Sequence, residues 1–279
     1  MSGVRVVTDS ACDLPASEIE KHGIVVVPLD VRLGEDGPEV MRSLSPEEFW
    51  ARCAKTTELP ETSAPSPGAF REVFAAAKAD GCEGVVCVTI SGAMSGTYQA
   101  ACAGAKDLEG EIDVHVVDSR FASMGQGLMV VEAARNAATG ANASVVSETV
   151  AATIPATHLY GMIETLENLR RGGRIGGAQA FVGSLLSFKP IIVVREGVVE
   201  KESRQRTRTR SLQYLLDKVK NGGEIAQLAI LHAMAPDIEE FRAMVAEVYP
   251  AENTMIGIIG PVIGTHVGPG AVGVTFRTV

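Results

Sequence analysis

Residues 84–101 read "GVVCVTISGAMSGTYQAA". An apolar run gives way to serines and glycines, and these give way to alanines. A run of that kind suits a buried strand of a parallel sheet, and the alanines suit a helix packed on it. A turn built of small and hydroxyl residues lets the backbone come close to something. The candidates are a nucleotide phosphate, an ester under attack by a serine, and a carboxylate that is merely held.

The same alternation extends to both sides. "VRVVTDS" precedes the helical "PASEIEKHG", and "IVVVPLDVRL" is a second strand broken at Pro28. "SPEEFWARCAK" and "SPGAFREVFAAAKADG" each open with a serine N-cap and a proline at the first helical position. "IDVHVVDS" is another strand, again followed by a small-residue loop and an alanine-rich helix. Strands alternating with helices predict a Rossmann-like parallel sheet with flanking helices over residues 1–155.

Residues 156–279 read differently. "KPIIVVREGVVEKESR" predicts a hairpin turning at Glu196-Gly197, and helices flank it on both sides. That mixture predicts a second, α+β domain. The whole is therefore a two-domain α/β protein.

With 279 residues there is length for one large or two medium domains. No stretch approaches the roughly 18 uninterrupted apolar residues of a membrane helix. The opening "MSGVRVVTDS" lacks the apolar segment and cleavage site of a secretory signal, so the expected location is cytoplasmic. The five cysteines include no CxxC pair, which argues against a zinc ribbon or a disulfide framework. A formal charge of -9 disfavours a nucleic-acid partner, since phosphates need neutralising cations.

Within "SGAMSGTY" neither a GxGxxG nor a GxxxxGK[ST] spacing is present, and Ser95 lacks the G-x-S-x-G context of a hydrolase elbow. The turn suits an anion, or it is an ordinary serine-capped turn. In "ETSAPSPGAF", Ser66 reads as a helix cap, whereas Thr62 is too far upstream to cap that helix and needs another partner. Asp9, Ser10 and Asp13 end the first strand, where turn formation is a better reading than a metal site because no third ligand is near. No metal is expected.

Three further features carry charge. Arg174 lies between paired glycines in "LRRGGRIGG", exposed to solvent or ligand, and His266 lies in the sparse loop "GTHVGPG". In "SRQRTRTRS" the arginines 204, 206, 208 and 210 share one face if the segment is extended and split onto two faces if it is helical. Such a stripe is either a charged, protected sheet edge or a docking site for an acidic partner or phosphate.

Taken together, the chain resembles the DegV family of bacterial fatty-acid-binding proteins. The resemblance rests on "VVTDSACDLP", "TSAPSPGAF", "ISGAMSGTYQAA" and "VVDSRFASMGQGL", continued in order by "LENLRRGGRI", "LLSFKPII", "RQRTRTR" and "IGTHVGPGAVGVTF". Two places depart: "EVMRSLSPEEF" lacks a Tyr-x-Asp, and Gly176-Gly177 replace a small polar residue.

The resemblance implies one long-chain fatty acid, such as palmitate, buried between two domains, and no cofactor. It implies that the carboxylate is held by Thr62 and Ser95 within their T-S and S-G-T motifs, with Ser63, Gly96 and Thr97 beside them and His266 close by. It further implies a separate fatty acid kinase that makes the acyl phosphate for phospholipid synthesis, with Arg174, Arg204 and Arg206 facing the phosphate or the kinase. On this reading the protein is a carrier and not an enzyme. The competing expectation is an enzyme acting on a phosphorylated small molecule, with Arg174 as phosphate ligand and His266 as acid/base.

Overall fold

The computed structural model describes residues 3–37, 40–41, 44–181 and 188–279. Along the chain the elements are β1 (Val4–Asp9), α1 (Ala16–His22), β2 (Val25–Val27), β3 (Asp30–Arg32), α2 (Pro46–Cys53), β4 (Glu61–Ser63), α3 (Pro67–Ala79), β5 (Gly84–Thr89), α4 (Thr97–Lys106), β6 (Asp113–Asp118), α5 (Met124–Ala138) and α6 (Ala143–Thr153). They continue with β7 (Thr157–Met162), α7 (Glu167–Arg171), β8 (Lys189–Arg195), β9 (Val198–Gln205), α8 (Arg208–Lys220), β10 (Ile225–His232), α9 (Ile238–Ala246), β11 (Thr254–Ile258), α10 (Pro261–Val267) and β12 (Val272–Thr278).

Two compact units emerge: Met1–Asp30 with Ser63–Pro155, and Val31–Thr62 with Ala156–Val279. The first carries a parallel sheet in the order β2-β1-β5-β6. Every residue of β5 is buried, as its unbroken apolar run requires. Phe70 and Phe74 of α3 pack against Val7, Val85 and Cys87 of the sheet. Ser66 caps α3 by accepting from the Ala69 N–H, and Gly81 ends it with φ +80. Within α4, a Cβ on Gly104 would stand 2.7 Å from the Pro67 carbonyl oxygen, so only glycine lets α3 and α4 approach this closely. The chain steps from β1 to β2 in one direction and from β5 to β6 in the other. The switch therefore falls between β1 and β5, at whose carboxyl ends open α/β sheets take ligands.

In the second unit the sheet order is β11-β10-β12-β7-β8-β9. Its β10–β11 pair is parallel and the other pairs are antiparallel. The β8–β9 hairpin turns at Glu196-Gly197, with φ +47 and +81, the signature of a type I′ turn. Leu212 and Leu215 of α8 and Phe241 of α9 pack on Val274 and Phe276 of β12.

Three expectations need correction. Residues 31–62, expected in the first domain, group with the second unit. The cause is the buried face of α2: the Trp50 indole donates to the Ile259 carbonyl at 2.8 Å, and Phe49 and Trp50 close over Gly264. The extended alternative for the arginine segment, which would line its arginines on one face, is not realised either. Thr207 accepts from the Arg210 N–H as an N-cap, so Arg204 is on β9 while Arg208 and Arg210 are on α8. The periodic Leu212, Leu215, Leu216 and Val219 bury one face of that helix and outweigh the extended alternative. His266 belongs to the last turn of α10 and not to a loop, because Pro261 starts a helix that Gly268 ends at φ +74.

Of the apolar segment "FVGSLLSFKPIIVV", residues 182–187 lie outside the described residues, while most of β8 is buried. Among the described residues, no helix is long and apolar enough to cross a membrane, and no cluster of His, Cys, Asp or Glu has metal-binding geometry.

Candidate functional site

The loop that follows β5 is closed on itself. The Ser91 carbonyl accepts from the N–H groups of Met94 and Ser95 at 3.0 and 3.1 Å. The Ser95 hydroxyl lies 2.8 Å from that of Thr97 and accepts from the Thr97 N–H at 3.3 Å. Gly96 occupies the N-cap position of α4 and contributes no side-chain cap. Ser95 thus closes a local turn at a half-buried position.

Two carboxylates hold that loop from beneath. Asp9 accepts from the Ala11 N–H at 2.9 Å and, across the switch between β1 and β5, from the Ile90 N–H at 2.7 Å. Burial raises its pKa to about 6, against the downward pull of those hydrogen bonds. Asp118 accepts from Gly92 N–H at 3.1 Å and Arg120 N–H at 2.8 Å. The turn-forming reading of Asp9 is realised, with the long-range bond to Ile90 added to it.

In the second unit, Thr62 is the central residue of β4. Its hydroxyl has the partner that its position demanded: Oγ1 lies 3.1 Å from His266 Nε2. Burial, reinforced by the Arg174 charge, lowers the His266 pKa to about 4, so the ring is neutral near pH 7. A cavity of about 650 Å³ is lined by Glu61, Thr62, Asn168, Arg171, Arg174 and His266, among others. Thr62, Arg174 and His266 are thereby brought together from three distant parts of the sequence. The Arg174 guanidinium also donates to the Gly172 carbonyl at 2.6 Å.

The remaining candidates lie elsewhere. Ser63, Ser95, Gly96 and Thr97 belong to the first unit. Arg204 stacks its guanidinium over Phe181 and Phe188, 5.8 and 5.4 Å from the ring centroids, and Arg206 is exposed. Neither lines the cavity.

Two residues that the sequence did not single out shape this cavity. Asn168 is buried and donates from Nδ2 to the Thr265 carbonyl at 3.1 Å. Gly172 donates its N–H to the Asn168 carbonyl at 2.9 Å and stands against the His266 ring. Both belong to "LENLRRGG", whose pattern shows neither what the amide grips nor which ring lies against the glycine.

Chemically, the cavity offers a hydroxyl, a neutral imidazole and guanidinium groups, with the carboxylates of Glu58 and Glu61 also on its wall. Nucleophilic catalysis needs a base that a third group orients. Here the buried His266 Nδ1 has no hydrogen-bond partner among the described residues. The arrangement is suited to holding an acceptor.

Comparison with known proteins agrees with the motifs. A family model described as "Uncharacterised protein, DegV family" matches residues 3–279. A DegV domain-containing protein of Mycobacterium tuberculosis (strain ATCC 25618 / H37Rv) is 37% identical over 278 residues, covering 97% of this chain and 96% of its own. A solved DegV family protein from Thermus thermophilus, described by its fatty acid binding, is 31% identical with a TM-score of 0.87, covering 99% of this chain and 100% of that one. DegV from Bacillus subtilis, described as a fatty acid binding protein, is 29% identical with a TM-score of 0.86 over the full length of both. Because the family model runs through both units and this relative matches nearly end to end, the chain belongs to the DegV family.

Proposed function

We propose that this protein binds a long-chain fatty acid, holding its carboxylate by hydroxyl groups and burying its acyl chain. The observation that carries the reading is the Thr62–His266 pair facing a cavity flanked by arginines. The fatty-acid-binding relatives of the same fold support it. In this reading Ser95 is the second hydroxyl donor, with Ser63, Gly96 and Thr97 as its neighbours in the motifs.

Magnitudes divide the labour. About fifteen carbons of a palmitoyl-sized tail, at ~0.8 kcal/mol each, are worth roughly 12 kcal/mol before costs. Immobilisation offsets much of this. Charge-assisted bonds from two hydroxyls add about 1.5–3 kcal/mol each, less the desolvation of the carboxylate. The tail supplies affinity and the hydroxyls supply orientation. Such a carrier, working in the cytoplasm, presents its fatty acid to a fatty acid kinase for acyl-phosphate formation, with Arg174, Arg204 and Arg206 on the phosphate or kinase side.

An enzyme using His266 as acid/base is a weaker reading, because a ring with a pKa of about 4 is a poor proton donor at neutral pH. Mass spectrometry of an organic extract of the natively purified protein tests the proposal. A near-stoichiometric fatty acid is expected, and its loss on combining Thr62→Ala with Ser95→Ala. An empty extract that stays empty after palmitate and oleate are offered would overturn it.

A further inference from the structure

His266 directs Nε2 at the Thr62 hydroxyl, 3.1 Å away, and turns Nδ1 inward to a buried position without a hydrogen-bond partner among the described residues. A neutral imidazole carries one N–H, on either nitrogen. Gly172 discriminates between them. A Cβ at Gly172 would stand 2.3 Å from Nδ1 and 2.7 Å from Cε1. The α-hydrogen that glycine has in that place is therefore aimed at Nδ1. A lone pair on Nδ1 accommodates it as a weak C–H contact. A hydrogen on Nδ1 would collide with it and find no acceptor.

The ring's proton then belongs on Nε2, where it is donated to Thr62 Oγ1. Having accepted that bond, the Thr62 hydroxyl must direct its own hydrogen elsewhere. The opposite tautomer would reverse the arrangement: Thr62 would donate to Nε2 and offer only lone pairs to a ligand. The tautomer thus sets whether the site takes an acceptor or a donor.

The backbone keeps this geometry. Gly172 N–H is bound to the Asn168 carbonyl at 2.9 Å, and the Asn168 amide grips the Thr265 carbonyl at 3.1 Å, one residue before the imidazole. The ends of α7 and α10 are tied together around the ring.

We propose that Gly172 is a positioning residue that fixes the Nε2–H tautomer of His266 and so reserves the Thr62 hydroxyl as a donor for an acceptor-only head group, a carboxylate. This rests on the reading that the cavity takes a fatty acid head group. Burial of the ring keeps it neutral, so the arrangement persists at physiological pH.

The test combines NMR of protein labelled with ¹⁵N in its histidine rings, freed of lipid, with palmitate titration. The expected His266 spectrum has a protonated Nε2 and a bare Nδ1, and the opposite pattern would overturn the proposal. Gly172→Ala, allowed by its backbone φ of −73, is expected to displace the ring signals and weaken palmitate binding about tenfold or more. In a His266→Gln background the same substitution is expected to cost less than about twofold, the sign of coupling through the ring. An equal loss in both backgrounds would make Gly172 merely structural and overturn the positioning role. A protein that shows the Nε2–H ring yet takes up no fatty acid would overturn the carrier reading alone.

Discussion

Trp50 donates its indole N–H to the carbonyl of Ile259 at 2.8 Å, across 209 positions of sequence. The ring lies edge-on to Phe49, with centroids 5.1 Å apart, and both rest against Gly264, where a Cβ would stand 2.7 Å from Trp50 Cζ2. This one side chain explains why residues 31–62 leave the first unit and join the second. An α10 with any larger residue at 264 would force α2 off its seat.

Removing that anchor gives the first expected outcome. Trp50→Phe keeps most of the packing but strands a buried carbonyl, at a cost of about 1–3 kcal/mol. Trp50→Ala adds a cavity and should cost about 3–5 kcal/mol. Urea unfolding followed by circular dichroism measures both. In the parent protein, Trp50 is the only tryptophan, so its fluorescence should report the unfolding of the second unit. A fluorescence midpoint unchanged by substitutions in the core of that unit would contradict the assignment.

Arg208 makes the second case. It grips Asp237 twice, Nε to Oδ2 at 2.6 Å and Nη2 to Oδ1 at 2.7 Å, and also reaches Glu164 and the Gly270 carbonyl. Its hydrogen bonds hold the Asp237 pKa below the ordinary carboxylate range. Burial pushes Glu164 upward, but Lys189 and Arg208 outweigh it and the net shift is also down. Below the ordinary range the unfolded chain therefore binds more protons, so this stabilisation is present above about pH 4–5 and is lost as pH falls through the lowered values. Arg208→Ala should cost about 3 kcal/mol near neutral pH, the low end for a charge left uncompensated in partial burial. It should also flatten the acid arm of the stability curve. Arg208→Lys should rescue little, because an ammonium cannot make the paired fork. A lysine variant as stable as the parent would count against the bidentate grip.

These two cases show which parts of the fold were legible. Period-two and period-3.6 patterns, serine caps with proline at the next position, and the Glu196-Gly197 turn are local physics, and each stands where its residues placed it. The destination of α2 was not legible, because amphipathicity says that a face is buried and not what covers it. For "RQRTRTR" the alternation leaves strand and helix both open, and the Thr207 cap starts the helix of the following leucines already at Arg208. For the cavity, Thr62 advertised itself as a hydroxyl without a local task. Gly172 did not, since what makes it matter is an absent Cβ against the side chain of His266, far along the sequence.

His266 supplies a pH dependence. Its folded pKa, lowered to about 4 by burial and then by Arg174, lies below the 6.5 of a free histidine. Between those values the unfolded chain binds the extra proton, so stability rises with pH across this window and is flat above it. Acidification from pH 6.5 toward 4 should therefore weaken the protein, and His266→Asn should reduce that slope. His158 and His232 are shifted in the same direction by burial, so the informative quantity is the difference between parent and variant melting curves. Identical slopes would show that the ring is solvated rather than enclosed.

Asp9 has the opposite sign. Burial raises its carboxyl to about 6 from an ordinary 3.8, so the folded chain binds the extra proton between those values. Stability from this group is full below pH 3.8 and is lost as pH rises through 6, which makes its ionised form a cost at neutral pH. The cost is tolerated because the carboxylate satisfies two buried N–H groups, those of Ala11 and Ile90. Asp9→Ala would relieve the buried charge but strand both donors, each worth about 1–3 kcal/mol, so the net change should still be destabilising. Asp9→Asn should lose less, since one acceptor remains, and the difference between the parent and variant stability curves should show the Asp9 contribution declining as pH rises from about 4 to 6, a decline the variant lacks. Ile90 leads directly into the loop that carries Ser95, so the alanine variant should also show faster amide exchange across residues 91–96. Unchanged exchange there, with stability lost, would mean that Asp9 braces the sheet and leaves the loop to Asp118.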